Sequence, residues 1–282
     1  MERLSNCLVC GSKKIINKKS LIDYSLTKET FTLYQCLACD VLFTNPRPKK
    51  DKIKKYYDLK KYDSYRKKSN VFGFIYGFIQ KLNNSYKTSL LKKYKTGYLL
   101  DYGSGSGSFV NHTKKKGYTS FGYEPINEPK HNSIYKNKNI IKKQKYDWVT
   151  LWHVLEHTHN PKDTLCDLRG LLNKDGLMAV AIPNINSYDN IYYKKHWAGY
   201  DVPRHLFHFN ASSFKKLAKL ANLKIINKKP LWFDSIYVSM LSEKYKKNKF
   251  SFLFGFFRGF ISNLYAIKTG QHSSIIYILR KC

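Results

Sequence analysis

Acidic residues are scarce in this sequence. Its 282 residues include 19 Asp and Glu against 51 Lys and Arg, which gives a formal net charge of +32 at pH 7. Clustered positive charge is one way to bind a phosphate backbone, but only seven of the basic residues are Arg, and the Lys are spread along the whole chain. This distribution favours a solvated surface, and it leaves an acidic partner such as anionic lipid, an acidic glycan or RNA as the alternative.

Long apolar runs are also missing. Nothing in the chain approaches the roughly 20 apolar residues of a membrane span, and the first ten residues, MERLSNCLVC, do not have the apolar run of a secretory signal. We therefore expect a cytoplasmic protein, with peripheral membrane contact as an open alternative.

Two shorter apolar stretches remain. Val71–Ile79 is too short to cross a bilayer, so we expect one face of a helix packed on the main domain, with a substrate entrance or a membrane contact as the alternative. Phe250–Ile261 is rich in Phe and flanked by Lys. Its length favours a core or lid helix over an interfacial segment that lies on a membrane.

Cysteines are few, but four of the six are regularly spaced. Cys7 and Cys10 form one CxxC pair, and Cys36 and Cys39 form a second pair 25 residues further on. Two such pairs can converge on one tetrahedral ion, and four thiolates close its coordination sphere. The sequence therefore predicts a structural zinc held by a zinc-ribbon-like module over residues 1–47, with strand-like alternation before the second pair.

The composition changes after this module. From Pro48 the chain is rich in Lys and Tyr with helical spacing, which predicts a helical linker or cap over residues 48–96. Residues 97–282 then form the main domain.

A glycine loop opens the main domain. The apolar strand that begins at Tyr98 runs into Gly103, Gly105 and Gly107, and helix-like sequence follows. Glycines at every second position let the backbone approach a ligand, beside the amides of the next helix. Glu124 ends the following strand 21 residues after Gly103, where a ribose-binding carboxylate belongs. With no Walker-type GKS or GKT, a dinucleotide and an adenosyl cofactor remain as alternatives.

The wider pattern resembles a known family. The loop LDYGSGSG at 100–107, the tripeptide YEP at 123–125, YDWVTLWHVLEH at 146–157 and LNKDGL at 172–177 are similar to the successive motifs of class I S-adenosylmethionine-dependent methyltransferases. The resemblance covers about residues 98–230. It implies an α/β, Rossmann-like fold whose seven-stranded, mostly parallel sheet has an antiparallel last strand, for which Ser274–Leu279 is the candidate. The third strand, within 129–145, is expected to be abbreviated or missing.

The resemblance also implies a cofactor and its site. By this resemblance, S-adenosylmethionine is expected to bind at Asp101, Gly103, Gly105, Gly107 and Glu124. Trp152 and His153 are further candidates, because they end an apolar strand at the sheet edge where ligands of open α/β folds bind. His153 is expected to face the sulfonium. The run from His153 to His157 differs from a metal-binding HExxH motif in its order, so it does not predict a metal site.

Catalysis and acceptor binding are assigned to the loop that follows. We predict His205 as the base that accepts the acceptor's proton, with His153 as a second catalytic candidate, because His has a suitable pKa. Arg204, His157 and Trp197 are the candidates for substrate binding; for Arg204 the alternative is a structural ion pair, and for His157 it is a structural role.

Three functions follow from these residues. The CxxC pairs and the segment Asp201–Phe209 look like bacterial methyltransferases of glycan and secondary-metabolite pathways, which favours a small-molecule acceptor with a reactive hydroxyl or carbon, a sugar or lipid-linked glycan intermediate. An RNA methyltransferase is the second hypothesis, although no RNA-binding domain is evident. The third is a catalytically idle binding protein, against which the intact glycine loop and Glu124 argue.

Overall fold

The computed structural model describes residues 1–57, 71–126 and 131–282. For residues 71–76 and 78, at the start of the first α-helix, the structure describes the backbone but not the side chains. The predicted packing of Val71–Ile79 therefore falls largely outside the described residues, as does part of the predicted linker.

The described chain contains eleven strands and eight α-helices. The strands are β1 (Ile15–Ile22), β2 (Thr30–Cys36), β3 (Leu42–Thr44), β4 (Tyr98–Tyr102), β5 (Thr119–Tyr123), β6 (Ile134–Tyr135), β7 (Tyr146–Trp152), β8 (Leu172–Pro183), β9 (Phe207–His208), β10 (Leu223–Pro230) and β11 (Ser274–Lys281). The helices are α1 (Val71–Lys92), α2 (Ser108–Lys114), α3 (Lys138–Ile141), α4 (Pro161–Leu171), α5 (Tyr188–Tyr193), α6 (Ala211–Leu220), α7 (Trp232–Tyr245) and α8 (Ser251–Thr269).

Seven strands form the main sheet, in the order β10-β11-β8-β7-β4-β5-β6. The strands are parallel except β11, which runs antiparallel to both of its neighbours. This confirms the predicted Rossmann-like α/β class with an antiparallel last strand. The third strand of the expected pattern, β6, is abbreviated to two residues.

Both faces of this sheet are buried. In β8, Met178 and Val180 belong to one core cluster, whereas Ala179 and Ala181 belong to another. Successive side chains of a strand point to opposite faces, so apolar residues at every position require a covering layer on each side. The carboxyl ends of the parallel strands then remain as the open edge where ligands bind in such sheets.

The cysteine module is continuous with the main domain. β1, β2, β3 and β9 form a second, antiparallel sheet, and β9 belongs to the predicted main domain: its Phe207 and His208 pair with Phe43 and Leu42. Cys7 lies in the same core cluster as Phe207. The division into segments 1–47, 48–96 and 97–282 stays a prediction about the sequence; in space, the first and last segments share a sheet and a core.

A buried guanidinium ties these segments together. Arg204 is fully buried, and its two terminal nitrogens lie 2.7 and 3.3 Å from the carboxylate oxygens of Asp23, at the end of β1. A second carboxylate, that of Asp201, accepts from Arg204 Nε at 3.0 Å and Nη2 at 2.8 Å. Bidentate pairs of this kind fix orientation as well as distance.

The C-terminal aromatic stretch forms α8, and its burial is the reverse of what a core helix requires. Its small residues Gly255, Gly259, Ser262 and Ala266 are buried, and its large apolar side chains are exposed. The favoured prediction is a core or lid helix; its core half is wrong for the large side chains of Phe250–Ile261, and its lid half stays a prediction. Within the described ranges, no helix is both long enough and apolar enough to cross a membrane.

The Asp23–Arg204 pair predicts a stability effect. Asp23→Asn removes the charge that compensates the buried guanidinium, so we expect the free energy of unfolding at neutral pH to fall by roughly 3 kcal/mol. Burial alone would raise the pKa of Asp23, but hydrogen bonds and the charge of Arg204 outweigh it and lower that pKa. The carboxylate's contribution is therefore present above its unfolded pKa and is lost as pH falls through the lowered folded value.

Urea unfolding measures this difference. The gap between wild type and variant should narrow at about pH 3. Asp51→Asn is the matched control, because Asp51 and its neighbour Lys52 are both exposed and their charged atoms are 3.9 Å apart. This substitution should change the free energy of unfolding by no more than about 0.5 kcal/mol. A similarly small effect for Asp23→Asn would contradict this role.

Candidate active site

The glycine loop follows β4 with three left-handed residues. Gly103, Gly105 and Gly107 have φ values of 79°, 52° and 76°. A Cβ on Gly103 would lie 2.5 Å from Val154 Cγ2, and one on Gly107 would lie 2.4 Å from Ile134 Cδ1, whereas one on Gly105 would meet no atom within 4 Å. The outer two glycines are required by protein packing, and Gly105 borders open space.

Glu124 shapes this loop. It follows β5 directly and is buried; its Oε2 accepts from Gly105 N at 2.9 Å and its Oε1 accepts from Ile126 N at 3.0 Å. The predicted ribose-binding carboxylate therefore lies beside the open space at Gly105.

Two buried polar atoms near this loop have no hydrogen-bond partner among the described residues. They are Ser104 Oγ and Trp152 Nε1. The Trp152 ring packs edge-on against Phe109, and Lys87 Nζ lies 4.5 Å from its centroid. Buried polar atoms are nearly always satisfied in folded proteins. An adenosyl cofactor, which has polar groups and a flat ring, fits this place. The unsatisfied Ser104 and Trp152 atoms could bond its polar groups, and the Trp152 ring and the open space at Gly105 could receive its flat ring.

Asp101 lies at the end of β4, next to the loop. Thr150 Oγ1 donates to its carboxylate at 2.6 Å. Burial raises the pKa of Asp101 to about 6, against the opposing hydrogen bond of Thr150 and the charge of Lys87. Sequence reasoning missed Lys87, because nothing distinguishes one helical Lys from the many others in this chain.

His153 has a left-handed backbone, with φ of 55°, just past β7. Its Nε2 lies 2.7 Å from Asp234 Oδ2, and its Nδ1 lies 3.3 Å from Glu156 Oε1. Burial lowers the pKa of His153, but the two carboxylates outweigh burial and raise it to about 10. The two carboxylates favour the protonated ring, which makes His153 a poor candidate for the base; its place in the cofactor pocket stays a prediction.

Sequence reasoning also missed Asp234. It lies in the first turn of α7, 81 residues after His153, and no local motif marks it. Its proximity to His153 depends on how α7 packs against the sheet edge.

Two further histidines surround Glu156. The Nδ1 of His205 lies 2.9 Å from Gly199 O, so this nitrogen carries the proton and Nε2 is the basic one. That Nε2 lies 4.0 Å from Glu156 Oε1, and Glu156 is fully buried. The rings of His157 and His205 are 4.5 Å apart at their centroids. The structure therefore brings two predicted residues together around Glu156, a carboxylate to which the sequence analysis assigned no role.

His157 is held differently. Its Nδ1 lies 3.0 Å from Arg204 O and 2.9 Å from the hydroxyl of Tyr57. Burial and the charge of His205 lower the pKa of His157 to about 4. At neutral pH the His157 ring is therefore neutral.

The other substrate-binding candidates are more enclosed. The donors of Arg204 are engaged by protein oxygens, as described above. Trp197 is buried, and its Nε1 donates to Asp189 at 2.7 Å. The Trp197 ring nevertheless lines a narrow, mainly apolar cleft beside His205 and Glu156 that is too tight for a water molecule in this structure. Its other lining residues are Pro183, Ile185, Gly199, Phe207, His208 and Phe209.

The four predicted zinc ligands converge. Cys7 Sγ lies 3.6 Å from Cys39 Sγ, Cys10 Sγ lies 3.5 Å from Cys36 Sγ, and all four sulfurs lie within 4.8 Å of one another. The two CxxC turns are alike, since Gly11 N donates to Cys7 O and Asp40 N donates to Cys36 O, each at 2.8 Å.

Comparisons with known proteins agree with this fold. A family model described as a methyltransferase domain matches residues 76–228, more than half of the chain. No curated protein matches the sequence. Solved structures with similar folds include a chain from the complex of the Haloferax volcanii Trm112 methyltransferase activator with a methyltransferase. The sequence identity is 11% and the TM-score is 0.49, and the match covers 74% of this chain and 94% of that one.

Two other solved structures have similar folds. The Burkholderia thailandensis 1,6-didemethyltoxoflavin-N1-methyltransferase has 11% identity and TM-score 0.44, over 72% of this chain and 78% of its own. The Mycobacterium tuberculosis cyclopropane synthase MmaA2 has 11% identity and TM-score 0.43, over 66% and 78%.

The family match spans the segment that contains the site. It begins in α1 and ends in β10, so it includes the glycine loop, Glu124 and the cluster of Glu156, His157 and His205. The chain therefore belongs to the methyltransferase-domain family and is an S-adenosylmethionine-dependent enzyme on a Rossmann-like sheet.

Proposed function

We propose that this enzyme methylates a hydroxyl or carbon of a small molecule, and that a sugar or lipid-linked glycan intermediate is its acceptor. The observation that carries the proposal is the position of a histidine–carboxylate cluster next to the glycine loop. Val154 contacts the loop at Gly103, and Glu156 follows two residues later. Both features lie at the carboxyl ends of the adjacent parallel strands β4 and β7.

The cofactor would be held by the residues predicted from the sequence. These are Asp101, Gly103, Gly105, Gly107, Glu124, Trp152 and His153. When bound, S-adenosylmethionine supplies an electrophilic methyl group on a positively charged sulfur. Glu124 holds the loop at Gly105 N and lies beside the open space there, where it would accept from the ribose hydroxyls.

His205 would accept the acceptor's proton. Its Nδ1–H is directed at Gly199 O, which presents Nε2 as the base. Glu156, at 4.0 Å, would stabilise the imidazolium that forms. Trp197 would line the acceptor cleft and His157 would lie against the base, while Arg204 would position the loop through its ion pairs and would not touch the acceptor.

The two other hypotheses are less well supported. An RNA substrate is favoured mainly by the high net charge, and the Lys that carry this charge are spread along the whole chain and do not cluster in the sequence around the site. An idle scaffold would not need an open glycine cradle beside unsatisfied buried donors.

The acceptor assignment is tested by a methyl-transfer screen of nucleotide sugars, lipid-linked sugars and RNA with wild-type protein. His205→Asn keeps an amide donor for Gly199 O and removes the base, so we expect kcat to fall by about 10²- to 10⁴-fold, with unchanged affinity for S-adenosylmethionine. His196→Asn, a change outside the cluster, should keep wild-type kcat. Full activity of His205→Asn would refute the base assignment, and methylation of RNA alone would refute the sugar acceptor.

We also propose that Cys7, Cys10, Cys36 and Cys39 bind a structural zinc ion. A tetrahedron with Zn–S bonds of about 2.3 Å has edges of about 3.8 Å, and the measured sulfur separations of 3.5 and 3.6 Å are close to this value. Thiolate ligands persist in a reducing compartment, which supports a cytoplasmic location.

Metal analysis tests the zinc proposal. Wild-type protein purified without added metal should contain stoichiometric zinc, and Cys36→Ser should lose it and unfold at a lower temperature, because β2 and β3 depend on the module. Cys166→Ser, outside the cluster, should retain the metal. Metal-free wild type with the same unfolding temperature as Cys36→Ser would contradict the proposal.

A further inference from the structure

The outer surface of α8 is the largest unexplained feature of the described residues. Nine of its large apolar side chains are between 38% and 65% exposed. They are Phe252, Leu253, Phe254, Phe256, Phe257, Phe260, Ile261, Leu264 and Ile267. We call this set the α8 apolar face. Contiguous exposed apolar surface on this scale marks a binding surface.

The opposite side of the helix shows that this exposure is built in. A Cβ on Gly255 would lie 2.4 Å from Met240 Cα, and one on Gly259 would lie 2.4 Å from Ile236 Cα. The two glycines therefore lie directly against the α7 backbone at Met240 and Ile236. Two helices in close contact through Gly, with large apolar groups outside, have the arrangement of helix pairs whose outer surroundings are lipid.

The charge around the helix selects the kind of lipid. No acidic residue follows Glu243, whereas eight basic residues do. Lys247 and Lys249 are exposed in the connection before α8, and Lys268 is exposed in its last turn. An apolar helix face with Lys at its ends suits a membrane surface, where the apolar side chains enter the acyl region and the Lys contact negatively charged headgroups.

A second copy of the chain fits less well. Two α8 apolar faces in contact would bring the basic ends of two proteins, each with net charge +32, close together. The unlike charges of an anionic bilayer avoid this repulsion.

We propose that the α8 apolar face docks on an anionic phospholipid membrane. The helix has 19 residues and is about 28 Å long, and it would lie in the plane of the headgroups with its Phe side chains inserted. α7 lies between α8 and the sheet and contributes Asp234, the partner of His153. Docking therefore places the methyl-transfer site one helix layer from the lipid surface.

Vesicle flotation of the full-length protein tests this proposal. We expect binding to vesicles of phosphatidylcholine mixed with phosphatidylglycerol, weaker binding to phosphatidylcholine alone, and weakening by salt. The triple variant Leu253→Gln, Phe257→Gln, Phe260→Gln should bind at least about tenfold more weakly, the equivalent of about 1.4 kcal/mol. The variant Lys247→Gln, Lys249→Gln, Lys268→Gln should lose the preference for anionic vesicles.

Matched controls keep the result interpretable. Leu37→Gln with Leu220→Gln changes two exposed apolar residues outside α8 and should bind as wild type does. Circular dichroism and S-adenosylmethionine affinity should be the same for all variants, because the changed side chains are exposed. Absence of wild-type binding to anionic vesicles, or equal binding by the α8 triple variant, would overturn the proposal. A wild-type dimer that the triple variant converts to monomer would instead assign the face to a second copy and overturn it as well.

Discussion

The geometry of the site depends on one buried cation. The guanidinium of Arg204 is inaccessible to solvent and is held by Asp23 from the cysteine module and by Asp201 from its own loop. A buried charge is tolerable only with such partners. Because Arg204 also presents its carbonyl oxygen to His157 and precedes His205 in the chain, the pair that joins the module to the loop also fixes both imidazoles.

Charge is distributed unevenly between the interior and the surface. Among the acidic residues that the structure describes, six are buried: Asp23, Asp101, Glu124, Glu156, Asp189 and Glu243. Lys residues dominate what remains outside. The interior carboxylates hold the glycine loop, the histidines and the ion pairs, while the surface is left strongly basic. The basic surface is what the proposed membrane docking depends on, and a lipid-linked acceptor, as proposed above, would be met there.

The sequence predicted those features that depend on local pattern. The strands around Asp101 and Gly176 follow from apolar runs, and the position of Glu124 follows from its spacing after the glycines. Asp234 lies near His153, and Asp23 near Arg204, only because the chain folds back on itself. The partners are 81 and 181 residues apart in the sequence, so no local motif could predict either contact. For α8, apolar content alone suggested a core helix; the small residues Gly255 and Gly259 at helical spacing were the signal that its buried side is narrow.

Cofactor binding tests the account most directly, by isothermal calorimetry of S-adenosylmethionine with wild type, Gly105→Arg and Gly117→Arg. Both glycines have positive φ and open space where a Cβ would lie, so the two variants carry similar backbone strain. Only Gly105 borders the proposed cofactor site. We expect binding by wild type and Gly117→Arg and none by Gly105→Arg. Folded wild type that does not bind, or a Gly105→Arg variant that binds equally well, would contradict the account.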